Sequence, residues 1–203
     1  MQSQEIKYWL DQIFPAPLNH EVRGGVHIGV GTLPDGDEVA ATSTFSGLDF
    51  FLSAPAEAVG APAEAVGAPV EGDAAGQAQV AVRSELFAVA HPVAEGAKVP
   101  PLAELVLNTA RMLALSAGAL VPQPGTIVPD IGGGMGALLI APFVWADGVP
   151  RLVELEPAPM VTLMLQVVPL TAAEVEYALT YGPADLQQQM ASQGIDILDL
   201  SRS

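Results

Sequence analysis

The side chains with the widest chemical range are three histidines, and two of them fall in one string, His20-Glu21 with His27 after five intervening residues. Two imidazoles and a carboxylate are the ligand types of a metal site. On one continuous strand, however, positions 20 and 27 have opposite parity and point to opposite faces. Seven residues of extended chain would also separate them by roughly 23 Å. A shared ion would need a bend at Gly24-Gly25, so no metal and no metal-assisted hydrolysis is expected of this set. His91 precedes Pro92 in a loop, with no partner evident in the sequence. Gly132-Gly133-Gly134-Met135-Gly136 invites a phosphate-loop reading, but no Lys-Ser/Thr continuation follows it. It leads into an apolar strand where a phosphate site wants a helix N-terminus, so a hairpin turn is the expectation. No Gly-x-Ser-x-Gly elbow is present, and there is no cysteine to serve as nucleophile, disulfide or thiolate ligand. Acid pairs such as Asp35/Asp37 and Glu154/Glu156 occur in a chain with 23 acids, where composition alone produces them. The residues assemble no catalytic set and no cofactor site. An enzyme is not expected.

The elements that must carry these residues are legible from periodicity. Ile6, Trp9, Leu10, Ile13 and Phe14 have helical spacing, and Pro15 and Pro17 stop that helix. His20 to Leu33 alternates as one half-buried strand, with Val22, Val26, Ile28 and Val30 on one parity. Pro34-Asp35-Gly36-Asp37 is a turn, Pro presetting φ and Gly accepting φ > 0, and a strand over about 38–45 pairs back. Ala-Pro-Ala-Glu-Ala-Val-Gly at 54–60 recurs at 61–67. Pro and Gly in each unit forbid a coiled coil, so 54–76 is expected to be an exposed low-complexity loop inserted in a single domain spanning 1–203. A strand follows over 77–90. Then Pro100-Pro101 opens an amphipathic helix that ends near Gly118. Further strands are expected at 126–128, 137–145, 152–155 and 161–168. Thr171-Ala-Ala-Glu174 is a capping box that starts a helix ending at Gly182, and Pro183 opens a last one ending at Gly194. The expected class is α+β, a mostly antiparallel mixed sheet with helices packed at one face.

Composition then bounds the partner. Of 203 residues 23 are acidic and 7 basic, giving a net charge of −16 and a pI near 4.2. The seven cations are scattered singly, which excludes a phosphate-neutralising surface and makes nucleic acid or anionic membrane poor partners. No apolar run approaches the roughly 18 residues of a membrane span. The first residues lack a basic region followed by an apolar core, so a cytoplasmic location is expected. A negative field of this size accelerates encounter with a basic protein. Recognition residues concentrate in connections on rigid scaffolds. The candidates for partner binding are therefore the turn acids Asp35, Asp37 and Glu38, with Asp130 and Asp147 flanking the strand after the glycine-rich loop.

Four strings, in order, resemble the suppressor of fused domain, in particular its short bacterial members. The longest runs from Val161 through Gln166, Pro169, Thr171, Glu174, Glu176 and Tyr177 to Gly182, similar to the family's closing strand, Pro and Glu-x-Glu-Tyr/Phe helix. His20-Glu21-Val22 with His27-Ile28, Thr44-Phe45-Ser46-Gly47-Leu48 and Arg83-Ser84-Glu85-Leu86 are similar to three others. The chain departs from the family in having Gly47-Leu48-Asp49 where Gly-Met-Ser is usual, and in lacking a Pro-x-x-Trp after the Glu-Leu strand. The resemblance implies a suppressor-of-fused-like fold and a binding domain with no cofactor. Bacterial members are read as immunity proteins, so it also implies a cognate toxin as the basic partner. A peptide-binding regulator acting through a sheet edge is the alternative.

Overall fold

A computed structural model of the chain describes residues 3–47, 52–55, 79–94, 96, 99–146, 148–154 and 160–202. Helix α1 (Ser3–Ile13) precedes a hairpin, β1 (Asn19–Arg23) and β2 (Val26–Thr32), and then β3 (Glu38–Thr42). A 3-10 turn (Phe45–Gly47), β4 (Leu52–Pro55), the long β5 (Gln79–Ala90) and α2 (Leu102–Leu115) follow. The second half is β6 (Ile127–Gly132), β7 (Met135–Ile140), β8 (Arg151–Glu154), β9 (Met160–Leu170), α3 (Ala172–Tyr181) and α4 (Pro183–Gln193). The strands form one sheet in the order β1-β2-β3-β5-β9-β7-β6, with β4 also on β5 and β8 also on β9. Every pairing is antiparallel except β5 with β9. The α+β class and the mostly antiparallel mixed sheet are as expected.

The helices, expected on one face, divide between two. On one face α2 packs Leu105, Val106 and Leu113 against Ala40, Leu86, Ala88, Leu139 and Leu165. On the other, α1 sets Ile6, Trp9 and Leu10 on Val39, Phe87, Val89 and Met164. Beside it, α3 and α4 set Val175, Ala178, Leu186 and Met190 on Leu138, Val168 and Leu170. Alternate residues of β5 and β9 are thus buried on opposite sides, which is why both strands are apolar on both parities.

The same arrangement occurs twice. A hairpin (β2–β3, then β6–β7) leads to a short strand and a long one, and the outer edge of the long strand is shared by two short strands. On β5, β3 pairs 87–90 and β4 pairs 79–82. On β9, β7 pairs 166–170 and β8 pairs 160–163. A helix follows each long strand, α2 on one face and α3 on the other, as a twofold axis running along the strands between β5 and β9 would require. The tight turns 33–37 and 132–135 consequently sit at the same end of the sheet.

Several elements depart from expectation. Strand β4 has no counterpart among the expected strands, and the strand expected over 137–145 is β7, which ends at Ile140. The strand expected over 20–33 is broken at Gly24 and Gly25, both at positive φ, into a hairpin that pairs Val22 with His27. Val22 therefore lies opposite to Ile28 and is 57% exposed. The expected strand 38–45 ends at Thr42, where the chain leaves the sheet as the 3-10 turn. Of the repeat over 54–76, Ala54 and Pro55 belong to β4 and the rest lies outside the described residues. The capping box is formed: Thr171 Oγ1 accepts from Glu174 N at 3.3 Å and Glu174 Oε2 accepts from Thr171 N at 2.7 Å.

Candidate functional site

The turn between β2 and β3 is rigid because its own groups close it. Leu33 N donates to Asp37 O at 2.7 Å, Gly36 N to Leu33 O at 2.9 Å, and Asp37 N to Asp35 Oδ1 at 3.2 Å. Gly36, at φ +98°, holds the position that L side chains avoid. Asp35 is left exposed at the tip, whereas Asp37 points back toward the end of β5. There its Oδ1 meets His91 Nδ1 at 2.7 Å, and the other ring nitrogen, Nε2, meets Asp196 Oδ2 at 3.0 Å. His91 N also donates to Leu198 O at 2.9 Å. The histidine without a partner in the sequence thus has two carboxylates, separated from it by 54 and 105 residues. Hydrogen bonds to Asp37 and then Asp196 raise the His91 pKa above its ordinary 6.5. The backbone N–H of Leu198, and to a lesser degree His91, hold Asp196 below the usual carboxylate range.

This latch fixes the segment after α4 across the sheet end, and Arg202 fixes it again. Its Nε donates to Glu174 Oε1 at 3.2 Å, its Nη1 to Asp199 O at 2.8 Å, and its Nη2 to Pro169 O. The strapped segment is the common wall of two clefts. The first, about 500 Å³, lies between the end of α1 and the acidic turn, with Phe14, Leu33, Trp145 and Leu198 among its walls and Asp35 and Asp37 on its rim. The second, about 440 Å³, opens between β7 and α4, with Ile140, Phe143, Met190 and Leu198 in its walls and Asp196 on its rim. Trp145 Nε1 donates to Ile13 O at 3.0 Å, and its ring packs 5.0 Å from Phe87 and 5.5 Å from Phe14. The segment after β7 is thereby pinned under α1. Phe143 and Val144, consecutive residues, each face a different cleft and remain 55% and 40% exposed. Among the described residues, no Lys or Arg lines either cleft.

Of the four expected binding acids among the described residues, the structure joins two, Asp35 and Asp37, in this place. Glu38, at the start of β3, lines a separate cleft of about 390 Å³ with Arg23 and Pro101. Asp130, exposed on β6, caps the β6–β7 turn by accepting from Gly132 N at 2.8 Å. It sits at the same end of the sheet as Asp35, but four strand spacings from β3, roughly 19 Å away. Asp147 lies outside the described residues. The two histidines do not have the opposite parity that a single continuous strand would give them. The bend at Gly24-Gly25 exists, so His20 and His27 fall on the same face and Glu21 on the opposite one. His20 Nε2 meets Asp11 Oδ1 at 3.0 Å. Among the described residues no group of three His, Asp or Glu side chains is placed to hold a metal ion.

A second polar centre was not expected at all. Glu85 is fully buried at the point where β5 has left β4 and not yet gained β3. Its carboxylate takes the place of the absent strand. Thr42 Oγ1 donates at 2.5 Å and Ser46 Oγ at 2.6 Å, and the N–H groups of Phe45 and Ser46 donate at 3.1 Å each. Thr42 Oγ1 accepts in turn from Leu86 N at 2.9 Å. Burial pushes the carboxyl above the ordinary 4.5, while these four hydrogen bonds pull the other way. The centre therefore ties the string Arg83–Leu86 to the string Thr44–Gly47. Its role is structural: the carboxylate is sealed from solvent and faces only its own donors.

Comparison with known families settles the class. The family model described as suppressor of fused protein matches residues 77–203, more than half of the chain. The chain belongs to the suppressor of fused family. The match includes Arg83–Leu86 and the whole string from Val161 to Gly182, whereas the strings at 20–28 and 44–48 precede it. Among curated proteins none matches the chain. The suppressor of fused family is a regulatory, protein-binding one, so membership carries a protein partner. None of the helices described is long and apolar enough to cross a membrane.

Proposed function

We propose that this suppressor of fused domain is a non-catalytic, cytoplasmic binding protein that neutralises a basic bacterial toxin by direct contact, as an immunity protein does. The observation that carries the reading is the preorganised acidic turn. Asp35 is held at a rigid tip, and Asp37 and Asp196 are held beside it by His91, on a chain whose net charge is −16. Such a surface attracts a cationic partner over a Debye length and orients it on arrival. Asp35, Asp37 and Asp196 are the acids of this face. Asp130, Asp147 and Glu38 contribute through the general field. Co-expression with the neighbouring open reading frame in a sensitive host tests it. Survival restored by this protein supports immunity, whereas a neighbour that is harmless alone, or lethal regardless, contradicts it.

The alternative, a regulator that captures an extended peptide on a sheet edge, is favoured by one specific feature. Strand β1 is the outermost strand on its side, with Val22 exposed and no neighbour on its outer flank among the described residues. The opposite edge, β6, carries Pro129 and a register shift after Val128, both of which blunt strand addition.

A further inference from the structure

We infer that the paired clefts on either side of the Phe143–Val144 ridge are the docking surface, and that they take an amphipathic, Lys/Arg-bearing segment of the partner with one apolar anchor in each cleft. The inference rests on the basic-partner reading and adds the place and the chemistry of contact.

Three observations carry it. First, Phe143 and Val144 are exposed apolar side chains on a segment that is itself fixed, because Trp145 is hydrogen-bonded to Ile13 O and packed on Phe14 and Phe87. An apolar ridge held rigid loses little side-chain freedom when covered, which favours a binding anchor over a solvated loop. Second, the cleft walls are predominantly apolar, with Leu33, Ile140, Met190 and Leu198 among them, and Leu198 is shared by both. A single ligand can therefore straddle the ridge without crossing a polar barrier. Third, among the described residues the charged side chains that line the clefts are all acids. Asp35 and Asp37 edge one cleft and Asp196 the other. Although His91 pairs with Asp37 and Asp196 from behind, Asp35 at the tip is free of it. Apolar anchors in the middle with cations at the border complement that pattern, as in a helix laid into a groove. The third cleft, beside Arg23, lacks this polarity and serves as the internal contrast.

The probe is a fluorescent amphipathic helix of Leu and Lys, with a scramble of the same residues as control. Binding is read by anisotropy, and the two tryptophan indole N–H signals are followed by NMR. The expected result is that the ordered peptide binds more tightly than the scramble and moves the Trp145 signal more than that of the buried Trp9. Replacing Phe143→Ser with Val144→Ser should weaken it at least about tenfold, the loss expected of a central anchor. Because neither side chain belongs to the buried core, the variant is expected to fold, and unchanged Trp9 and Trp145 signals in the free protein verify it. Asp35→Lys should weaken the same peptide and lower the dependence on salt. Equal binding of both peptides, indifferent to the Phe143/Val144 change, overturns the surface and leaves the basic-partner reading intact. So does an absence of peptide binding while co-expression still rescues. A dimer in sedimentation that Phe143→Ser with Val144→Ser dissociates also overturns the inference, since the occupant is then a second copy.

Discussion

Removing the buried carboxylate of Glu85 should cost more stability than any surface change, and the structure indicates how much. Glu85→Ala leaves Phe45 N and Ser46 N without an acceptor in a dry site, at about 1–3 kcal/mol for each orphaned donor. The hydroxyls lose less, since Thr42 Oγ1 already lies 3.4 Å from Leu86 O and can turn to it. Relief from burying an ionisable group offsets part of the loss. A net destabilisation of about 3 kcal/mol follows, which in a chain of this size lowers the melting temperature by roughly 6–12 °C. Glu85→Gln keeps one accepting oxygen and should lose about half as much. The pH dependence has a definite sign. Because the folded-state pKa lies above the ordinary 4.5, the unfolded chain ionises first as pH rises. Stability contributed at this site therefore falls upward from about pH 4.5 and levels off once the folded carboxyl has ionised. Urea melts of the natural protein, Glu85→Ala and Glu85→Gln across that range test both statements. A loss below 1 kcal/mol for Glu85→Ala, or a Glu85→Gln profile parallel to that of the natural protein, would refute the reasoning.

Other perturbations follow from the same geometry. His91→Ala should release the segment that carries Leu198. Because the histidine pKa is raised, the stability it contributes is present below its ordinary 6.5 and is lost as pH rises through the folded value. Urea midpoints for the variant should therefore fall further below the natural protein's at pH 5.5 than at pH 8.5. Gly136→Ala should destabilise by about 1–3 kcal/mol, read by calorimetry. A Cβ at that position would collide with Val175 Cγ2 of α3 and lie 2.8 Å from Val128 O, and backbone cannot give way as a flexible side chain does. Replacing the repeat after Pro55 with a short Gly-Ser link should change the melting temperature by less than about 5 °C, because loop closure depends only weakly on length.

Local signals made much of the fold legible, and long-range ones did not. The capping box at Thr171 and Glu174, the Pro183 and Gly194 boundaries of α4, and the alternation of β5 and β9 depend on residues close in sequence. The hairpin at Gly24-Gly25 was hidden because Val22, Val26, Ile28 and Val30 keep one parity across the turn, and only the pairing of Val22 with His27 exposes the reversal. The internal repetition left no trace, since the turns Pro34-Asp35-Gly36-Asp37 and Gly132-Gly133-Gly134-Met135 hold equivalent places but have few residues in common. In the candidate site, Asp35 and Asp37 were legible as turn acids. Asp196 and His91 were not, because their ion pairs join segments that only the tertiary fold brings together. Glu85 did leave a clue. It lies on the parity of Phe87 and Val89, so an acid was written on a face whose neighbours are core, and a buried carboxylate with dedicated donors is the physical resolution.

We propose that this suppressor of fused domain silences a basic partner by occupying it through the acidic, apolar-cleft face. The most direct test is a titration of the purified neighbouring gene product's toxic activity with this protein, at low and high salt. The account predicts that activity falls to background near equimolar protein, and that Asp35→Lys with Phe143→Ser shifts the titration to a large excess. It also predicts that the association rate drops at least about tenfold between 50 and 500 mM salt, as screening of exposed charge requires. Activity that persists at a large excess of the natural protein, or inhibition indifferent to both substitutions and salt, would contradict it.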